Sequence, residues 1–256
     1  MLKVFLDQFL RVRGVMMEHQ ENTREGLKQI AVNGAMEWIR ENFDLHNNLK
    51  IGVGSGSTVA YSFSRIAKHR NLTAIPTSST TREELKKQGV DIEEFGESEE
   101  PLAFDLDGAD EVDPRLNLIK GGGGCHYREK LVAKRSRVLL IVVDQTKLVN
   151  FLGQTFPLPV EVKPKNIKST RKRLRQYGEP VLRSTEGELF KTDNGNVIFD
   201  LQLQGQLSQT ELEEWEPRIN DIEGVVENGF FVNRNADRVF VGTEGGLKVL
   251  EPEEHE

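Results

Sequence analysis

Residues 105–130 bring Asp107, Asp110, Lys120, Glu129 and four consecutive glycines, Gly121, Gly122, Gly123 and Gly124, into one short segment. A glycine run costs backbone entropy, and clustered carboxylates repel one another unless a cation or a ligand offsets them. Both costs in one place point to a site. The glycines can present backbone N–H groups to a developing oxyanion, and Lys120 can neutralise a nearby carboxylate. Asp107 and Asp110 can accept hydrogen bonds from hydroxyls or exchange protons with them. A lone glutamate on a helix is ordinarily a surface residue. The flanking Arg128 and Lys130 favour that reading for Glu129, and the adjoining glycine loop and acidic cluster favour a residue of the site. Asp107-Gly108-Ala109-Asp110-Glu111 lacks the spacing of a calcium loop. A magnesium site or a solvated Asx-type turn stays open for it.

A second constellation is Gly52-Val53-Gly54-Ser55-Gly56-Ser57-Thr58. It joins an apolar strand pattern to a helical one, the context in which backbone N–H groups and hydroxyls cradle a phosphate. No Gly-Lys-Ser/Thr is present. The third glycine of a dinucleotide loop is replaced by Ser57, and Thr77-Ser78-Ser79 lies where that motif has an acid. A phosphate on a small molecule fits better than a nucleotide. The bland alternative is a tight turn with Ser57 as helix N-cap.

The elements that must position these residues follow from periodicity. The pattern predicts helices at 23–43, from the glycine loop to about 69, at 80–88 and at 127–134. In the third of these, Thr80 and Glu83 have the capping-box spacing. It predicts strands at 49–53, 72–76, 90–95, 102–106 and 137–143, the last apolar throughout as in a strand buried on both faces. Strands alternating with helices give an α/β fold, a Rossmann-like mostly parallel sheet flanked by helices. In such sheets sites form at the carboxyl ends of the strands. The Gly54 loop, the Asp107 loop and residues 144–147 all fall there. Beyond 156 the texture changes to prolines, a basic helical run up to 177, strands at 189–192, 197–203 and 229–232, and a helix at 208–220. Asp193-Asn194-Gly195-Asn196 is a hairpin signal. This reads as a smaller α+β unit inserted before a last apolar strand, 239–242, that rejoins the first sheet. The expected organisation is an N-terminal extension at 1–22, a catalytic domain at 23–152 and 234–250, a small α+β domain at 153–233 and an acidic tail at 251–256.

Composition narrows the classes. The 256 residues carry a net charge of -7, which argues against a general nucleic-acid binder and requires a local basic pocket for any anionic substrate. The basic run between Lys163 and Arg175 therefore reads as a solvated helix face. Cys125 is the only cysteine, so no intrachain disulfide forms, in keeping with a reducing cytosol. Cys125 and His126 are too few for a structural zinc site and read as packing or rim residues. No apolar run is long enough to span a bilayer. The opening residues, broken by Asp7, Gln8, Arg11 and Arg13, read as an extension and not as an export signal.

At these residues the chain resembles ribose-5-phosphate isomerase of the A type. The resemblance runs from about Thr23 to Leu250. Gly54-Ser55-Gly56-Ser57-Thr58, Asp107-Gly108-Ala109-Asp110-Glu111, Lys120-Gly121-Gly122-Gly123 and Arg128-Glu129-Lys130 occur in the family's order and spacing, and 156–162, 192–196 and 233–237 are similar as well. The resemblance implies an aldose-ketose isomerase that interconverts D-ribose 5-phosphate and D-ribulose 5-phosphate through an enediolate, in the non-oxidative pentose phosphate pathway. It implies Glu129 as proton acceptor, with Asp107, Asp110 and Lys120 beside it in catalysis. Substrate contacts are implied at Ser55, Gly56, Ser57, Thr58, Asp107, Gly108, Ala109, Asp110, Lys120, Gly121, Gly122, Gly123 and Lys147. It further implies no cofactor and no metal, a cytoplasmic homodimer or homotetramer, and no nucleic-acid or membrane partner. Ser55 stands where the family often has Thr, and Cys125 where a small residue is usual. A sugar-phosphate sensor and an acyl-CoA transferase-like enzyme with a nucleophilic glutamate are the rival expectations.

Overall fold

The structure, a computed structural model, describes residues 23–97 and 100–252. The expected extension at 1–22 lies outside the described residues, as do the last four residues of the expected acidic tail.

Helix α1 (Arg24–Asn42) starts at Thr23, whose side chain accepts a hydrogen bond from the Gly26 N–H. Its apolar stripe, Leu27, Ala31, Ala35 and Ile39 among others, is buried, as the four-residue spacing requires. There follow β1 (Leu49–Val53), α2 (Ala60–Ile66), β2 (Leu72–Pro76), α3 (Ser79–Lys87), β3 (Asp91–Ile92) and β4 (Asp105–Asp107). Two short strands, β5 (Glu111–Val112) and β6 (Leu118–Ile119), precede α4 (His126–Arg135) and β7 (Leu139–Asp144), which leads into a 3-10 turn, Gln145–Lys147. The second half holds β8 (Leu158–Val162), α5 (Ile167–Leu174), β9 (Gly178–Leu182), β10 (Ser184–Thr185), β11 (Glu188–Leu189), β12 (Val197–Leu203), α6 (Gln209–Asn220), β13 (Val225–Asn228), β14 (Phe230–Phe231), β15 (Arg238–Thr243) and β16 (Gly246–Leu250).

The main sheet has seven strands in the order β16-β15-β7-β4-β1-β2-β3. All of its pairings are parallel except that of β15 with β16. Every residue of β7 is buried, as a central parallel strand covered on both faces demands. Helix α1 packs on β7 and β15. The approach is close enough that a Cβ on Gly242 would fall 1.7 Å from the Leu27 carbonyl oxygen. The smaller sheet is antiparallel, β13-β8-β12-β9, and its core joins Val160, Phe199, Leu174, Leu212 and Ile219. A third sheet, β14-β6-β5, links the two. The basic face of α5 is exposed while Thr170 and Leu174 face inward.

Several boundaries differ from the sequence-based expectation. Helix α3 is capped by Ser78, whose hydroxyl accepts the Thr81 N–H, and not by Thr80. The strand expected at 90–95 contracts to Asp91–Ile92, which pairs on one side only, with β2 at the sheet edge. The Asn194-Gly195 turn is closed by Thr192 N–H donating to Asn196 O, yet it joins no hairpin. The short β11 pairs with β10, and β12 pairs with β8 and β9. Strand β8 was not expected from the sequence, where Pro157 just before it and Pro159 within it lower strand propensity. Pro159 lies beyond the last residue that pairs with β13 and faces Asp200 of β12, so on the β13 side its missing N–H interrupts no ladder. The last strand is β16 and not the one at 239–242. The small sheet is inserted before β15, and β16 then folds back antiparallel as an edge.

Candidate active site

Parallel pairing of β1 with β4 sets Val53 beside Leu106, so the loops that follow these strands meet. The Gly54 N–H donates to Leu106 O at 2.9 Å, and the Ser55 N–H donates to Asp107 Oδ1 at 3.2 Å. A Cβ on Gly54 would fall 1.8 Å from Asp107 Oδ1, so only glycine permits this approach. The loop continues through Gly56 at φ 106, in the left-handed region that favours glycine. The Ser55 hydroxyl lies 2.9 Å from Thr77 Oγ1 at the end of β2, and Thr81 of α3 donates to Gly54 O at 3.1 Å. Ser57 does not cap α2. Its hydroxyl accepts a bond from Lys28 Nζ of α1 at 2.9 Å, and α2 begins at Ala60 after Val59.

A buried cluster of ionisable groups comes from β4, β6 and α4. Lys120, placed after β6 by its N–H donating to Gly229 O, sends its ammonium to Asp107 Oδ2 at 2.9 Å and to Gly108 O at 2.6 Å. The same nitrogen lies 3.4 Å from Glu129 Oε2 on the first turn of α4. Asp107 is fully buried, and Lys120 and Glu129 nearly so. The back of α4 is held by Lys130, whose ammonium bonds to Glu216 at 3.0 Å, Glu227 at 2.9 Å and Asn228 O at 2.8 Å. This buried ion cluster ties α4 to α6 and β13.

Burial pushes the Glu129 carboxyl up to about 8. Lys120 opposes that rise, and Asp107 and Asp110 reinforce it. Burial also works against the Lys120 ammonium, but Asp107 and Glu129 outweigh it and hold the group above the usual lysine value. Burial raises Asp107 as well, with Lys120 pulling it back. Burial pushes the Cys125 thiol up to about 12, so it stays protonated and unreactive at neutral pH. Burial with the Lys130 charge lowers His126 to about 3. That ring is neutral, and its Nε2 lies 3.3 Å from Glu227 O, in keeping with a packing role.

These loops enclose a cavity of about 180 Å³. Ser55, Gly56, Ser57, Thr58, Gly108, Ala109, Asp110, Lys120, Gly121, Gly122, Gly123, Glu129 and Lys147 all line it. Asp107 does not. It lies beneath the floor, with its carboxylate spent on the N–H groups of Ser55 and Gly108 and on Lys120. Arg24 and Lys28 of α1 line the cavity too, beside Asp144 and Lys147, and sequence reasoning missed them. Their four-residue spacing was visible, but nothing local said that this helix end reaches the site. Arg24 meets Asp144 at 3.4 Å across 120 positions of sequence. Among the described residues no carboxylate pairs with Lys147, and no three His, Cys, Asp or Glu side chains are grouped to hold a metal ion.

The cavity therefore has two chemically distinct walls. One offers three cations, two serine hydroxyls and the loop N–H groups, a setting for a phosphate dianion. The other offers a carboxyl of raised pKa against an ammonium and a glycine loop, a setting for proton abstraction next to a carbonyl.

The profile of ribose 5-phosphate isomerase A (phosphoriboisomerase A) matches residues 73–246. The ribose-5-phosphate isomerase A of Staphylococcus epidermidis is 40% identical over 216 residues, covering 82% of this chain and 92% of that protein. The structure of ribose 5-phosphate isomerase A from Methanocaldococcus jannaschii superimposes with a TM-score of 0.79 at 34% identity, covering 90% of this chain and 100% of the other. That of a D-ribose-5-phosphate isomerase in complex with phospho-erythronic acid gives 0.81 at 33% identity, covering 90% and 99%. The chain belongs to the ribose 5-phosphate isomerase A family.

Proposed function

We propose that this protein interconverts D-ribose 5-phosphate and D-ribulose 5-phosphate, with Glu129 as the base. The observation that carries this reading is the placement of Glu129: buried, raised to about 8, and 3.4 Å from Lys120 in a cavity whose other wall suits a phosphate. The phosphate lies against Ser55, Gly56, Ser57 and Thr58 with Arg24, Lys28 and Lys147 around it. Glu129 takes the proton from C2 of the open-chain aldose. The electron pair forms a C1–C2 double bond and the carbonyl electrons move onto O1. The enediolate so formed is stabilised by the Lys120 ammonium and by N–H groups of the glycine loop. Protonated Glu129 returns its proton to C1, and the O2 hydroxyl proton passes to O1, leaving the ketone at C2. One residue makes both transfers because C1 and C2 are adjacent.

Asp110, at the cavity wall, is proposed to hold a substrate hydroxyl and to assist ring opening. Asp107 acts through Lys120 and the two loops it fastens, which replaces the direct hydroxyl contact expected for it. The solved relative bound to phospho-erythronic acid supports the reading, since that ligand joins a phosphate to a carboxylate that is planar and anionic like an enediolate. The proposal extends to a place in the non-oxidative pentose phosphate pathway, a cytoplasmic homodimer or homotetramer, and catalysis without a metal. In this last respect Lys120 supplies the positive charge beside the reacting oxygens. In domain terms 23–152 with 234–250 carries the site and 153–233 forms the smaller unit.

The deciding experiment is a coupled assay for ketopentose formation from ribose 5-phosphate. Absence of ketopentose sinks the reading, and a covalent glutamyl adduct with a thioester would favour a transferase instead. Lys147→Ala is expected to raise KM about 10-fold with little change in kcat, the lower end of what a hydrogen bond to a charged group contributes. An unchanged KM removes Lys147 from the phosphate site.

A further inference from the structure

The glycine loop is fastened from outside the cavity by a side chain of the small sheet. Arg183, just after β9, donates from Nη1 to Gly121 O at 2.9 Å and to Gly122 O at 3.0 Å. The other edge of its guanidinium is fixed by Asp200 of β12, which accepts from Nε at 2.9 Å and also from Nη2. In a trans peptide the carbonyl and the following N–H point in opposite directions. Two carbonyls turned toward Arg183 therefore turn the N–H groups of Gly122 and Gly123 away from it. The Gly122 N–H meets Asp110 Oδ2 at 2.7 Å. The Gly123 N–H has no partner among the described residues, and Gly123 lines the cavity whereas Arg183 does not.

A run of glycines has little intrinsic preference for one peptide orientation over its flip. Gly121 at φ 105 and Gly124 at φ 79 use that freedom. The Gly124 N–H closes a turn on the Gly121 carbonyl at 2.9 Å, whereas the Gly122 carbonyl is held by Arg183 alone among the described residues, so the orientation of the Gly122–Gly123 peptide is imposed from outside the loop. Phe190 adds a second restraint. A Cβ on Gly124 would fall 2.6 Å from Phe190 Cε1, and the Arg183 guanidinium lies 5.5 Å from the centre of the Phe190 ring.

We propose that Arg183 is a positioning residue for the isomerisation: by holding the carbonyls of Gly121 and Gly122 it aims the Gly123 N–H at the substrate oxygen that becomes anionic and keeps Asp110 facing the cavity. The inference rests on the isomerase reading above. It makes the small sheet a working part of the site, because the orientation of the oxyanion loop is set from β9 and β12.

The test compares wild type, Arg183→Met, Arg183→Lys and Asp200→Asn. Removing an oxyanion donor outright costs about 100- to 1,000-fold. Losing its orientation in Arg183→Met is expected to lower kcat by about 10- to 100-fold, with the KM for ribose 5-phosphate within about 3-fold of wild type. Affinity for phospho-erythronic acid should fall in step with kcat, whereas affinity for inorganic phosphate should not change. Arg183→Lys should recover part of the loss, since an ammonium reaches the carbonyls but cannot bracket Asp200 as a fork does. Asp200→Asn, which keeps one acceptor for the guanidinium and loses the charge that brackets it, should lower kcat in the same direction as Arg183→Met but by less, and a larger loss than in Arg183→Met would place the effect at Asp200 and overturn the inference.

An active wild type with unchanged kcat in Arg183→Met overturns the inference alone. So does a parallel loss of melting temperature, phosphate affinity and kcat, which marks a merely structural residue. An inactive wild type overturns the isomerase reading and this inference with it. Should Arg183→Met fail to fold, Arg183→Lys and Arg183→Gln carry the comparison, and wild-type kcat in both overturns the proposal.

Discussion

Glu129→Gln is expected to lose about 100- to 10,000-fold in kcat, the contribution of a positioned general base, while its fold and its affinity for inorganic phosphate persist. Gln keeps the shape and removes the base, and the phosphate wall is made by other residues. The pH dependence follows from the same burial. With the carboxyl raised to about 8, the free enzyme carries its base protonated at neutral pH, so kcat/KM should climb with pH and level off above about 8. The sign for stability runs the other way. Between the ordinary value of 4.5 and about 8 the folded protein holds a proton that the unfolded chain has released. The stability contributed by this group is therefore full below 4.5 and is lost as pH rises through about 8. Glu129→Gln removes that loss, and its melting temperature should match or exceed wild type at alkaline pH. Steady-state kinetics and thermal melts across a pH series check both statements. Near-normal turnover in Glu129→Gln would falsify the assignment of the base.

Lys120→Met has the second large effect. It removes the ammonium that sits between Asp107 and Glu129 and that faces the developing oxyanion, so kcat should fall by about 100- to 1,000-fold. It also moves the titration of the base. Lys120 opposes the rise caused by burial, so without it the Glu129 carboxyl goes higher and the rising arm of the pH–rate profile shifts to more alkaline pH. Asp107 loses its cation as well, and breaking a buried pair costs about 3–5 kcal/mol. Since Asp107 is also raised by burial, protonation relieves that cost at low pH, and the deficit in stability should widen as pH increases. Urea unfolding at acid and neutral pH, with the pH–rate profile, reads both effects. Turnover within about 10-fold of wild type and an unmoved profile would mean that Lys120 is a packing residue.

Much of the site was legible in the chain because its chemistry is local. Gly54, Gly56 and the run after Lys120 stand out since glycine is costly wherever nothing demands it. The strands that carry them are short apolar runs, and the buried β7 is the plainest of these. The acidic cluster and Glu129 fall within one segment, so their association needed no knowledge of distant packing. Strand β8 had no counterpart in the sequence pattern, where Pro157 and Pro159 lower strand propensity. Only the register with β12, and the end of β13 short of Pro159, made that position tolerable.

The sequence by itself determined which groups are present for the reaction, and in what order along the chain: a hydroxyl-rich glycine loop, two aspartates, a lysine before a glycine run, and a glutamate on the next helix. Tertiary structure alone decided what each of them does. It brought Arg24 and Lys28 from the first helix to the cavity beside Lys147, and it placed Asp107 beneath the cavity lining instead of in it. Arg183 reached the carbonyls of Gly121 and Gly122 from about 60 residues away. Burial among β4, β6 and α4 raised the Glu129 carboxyl from the ordinary carboxylate range to about 8. The physical reason is that residue type and spacing encode local geometry, whereas a pKa and the aim of a peptide N–H depend on surroundings assembled from elements far apart in the chain.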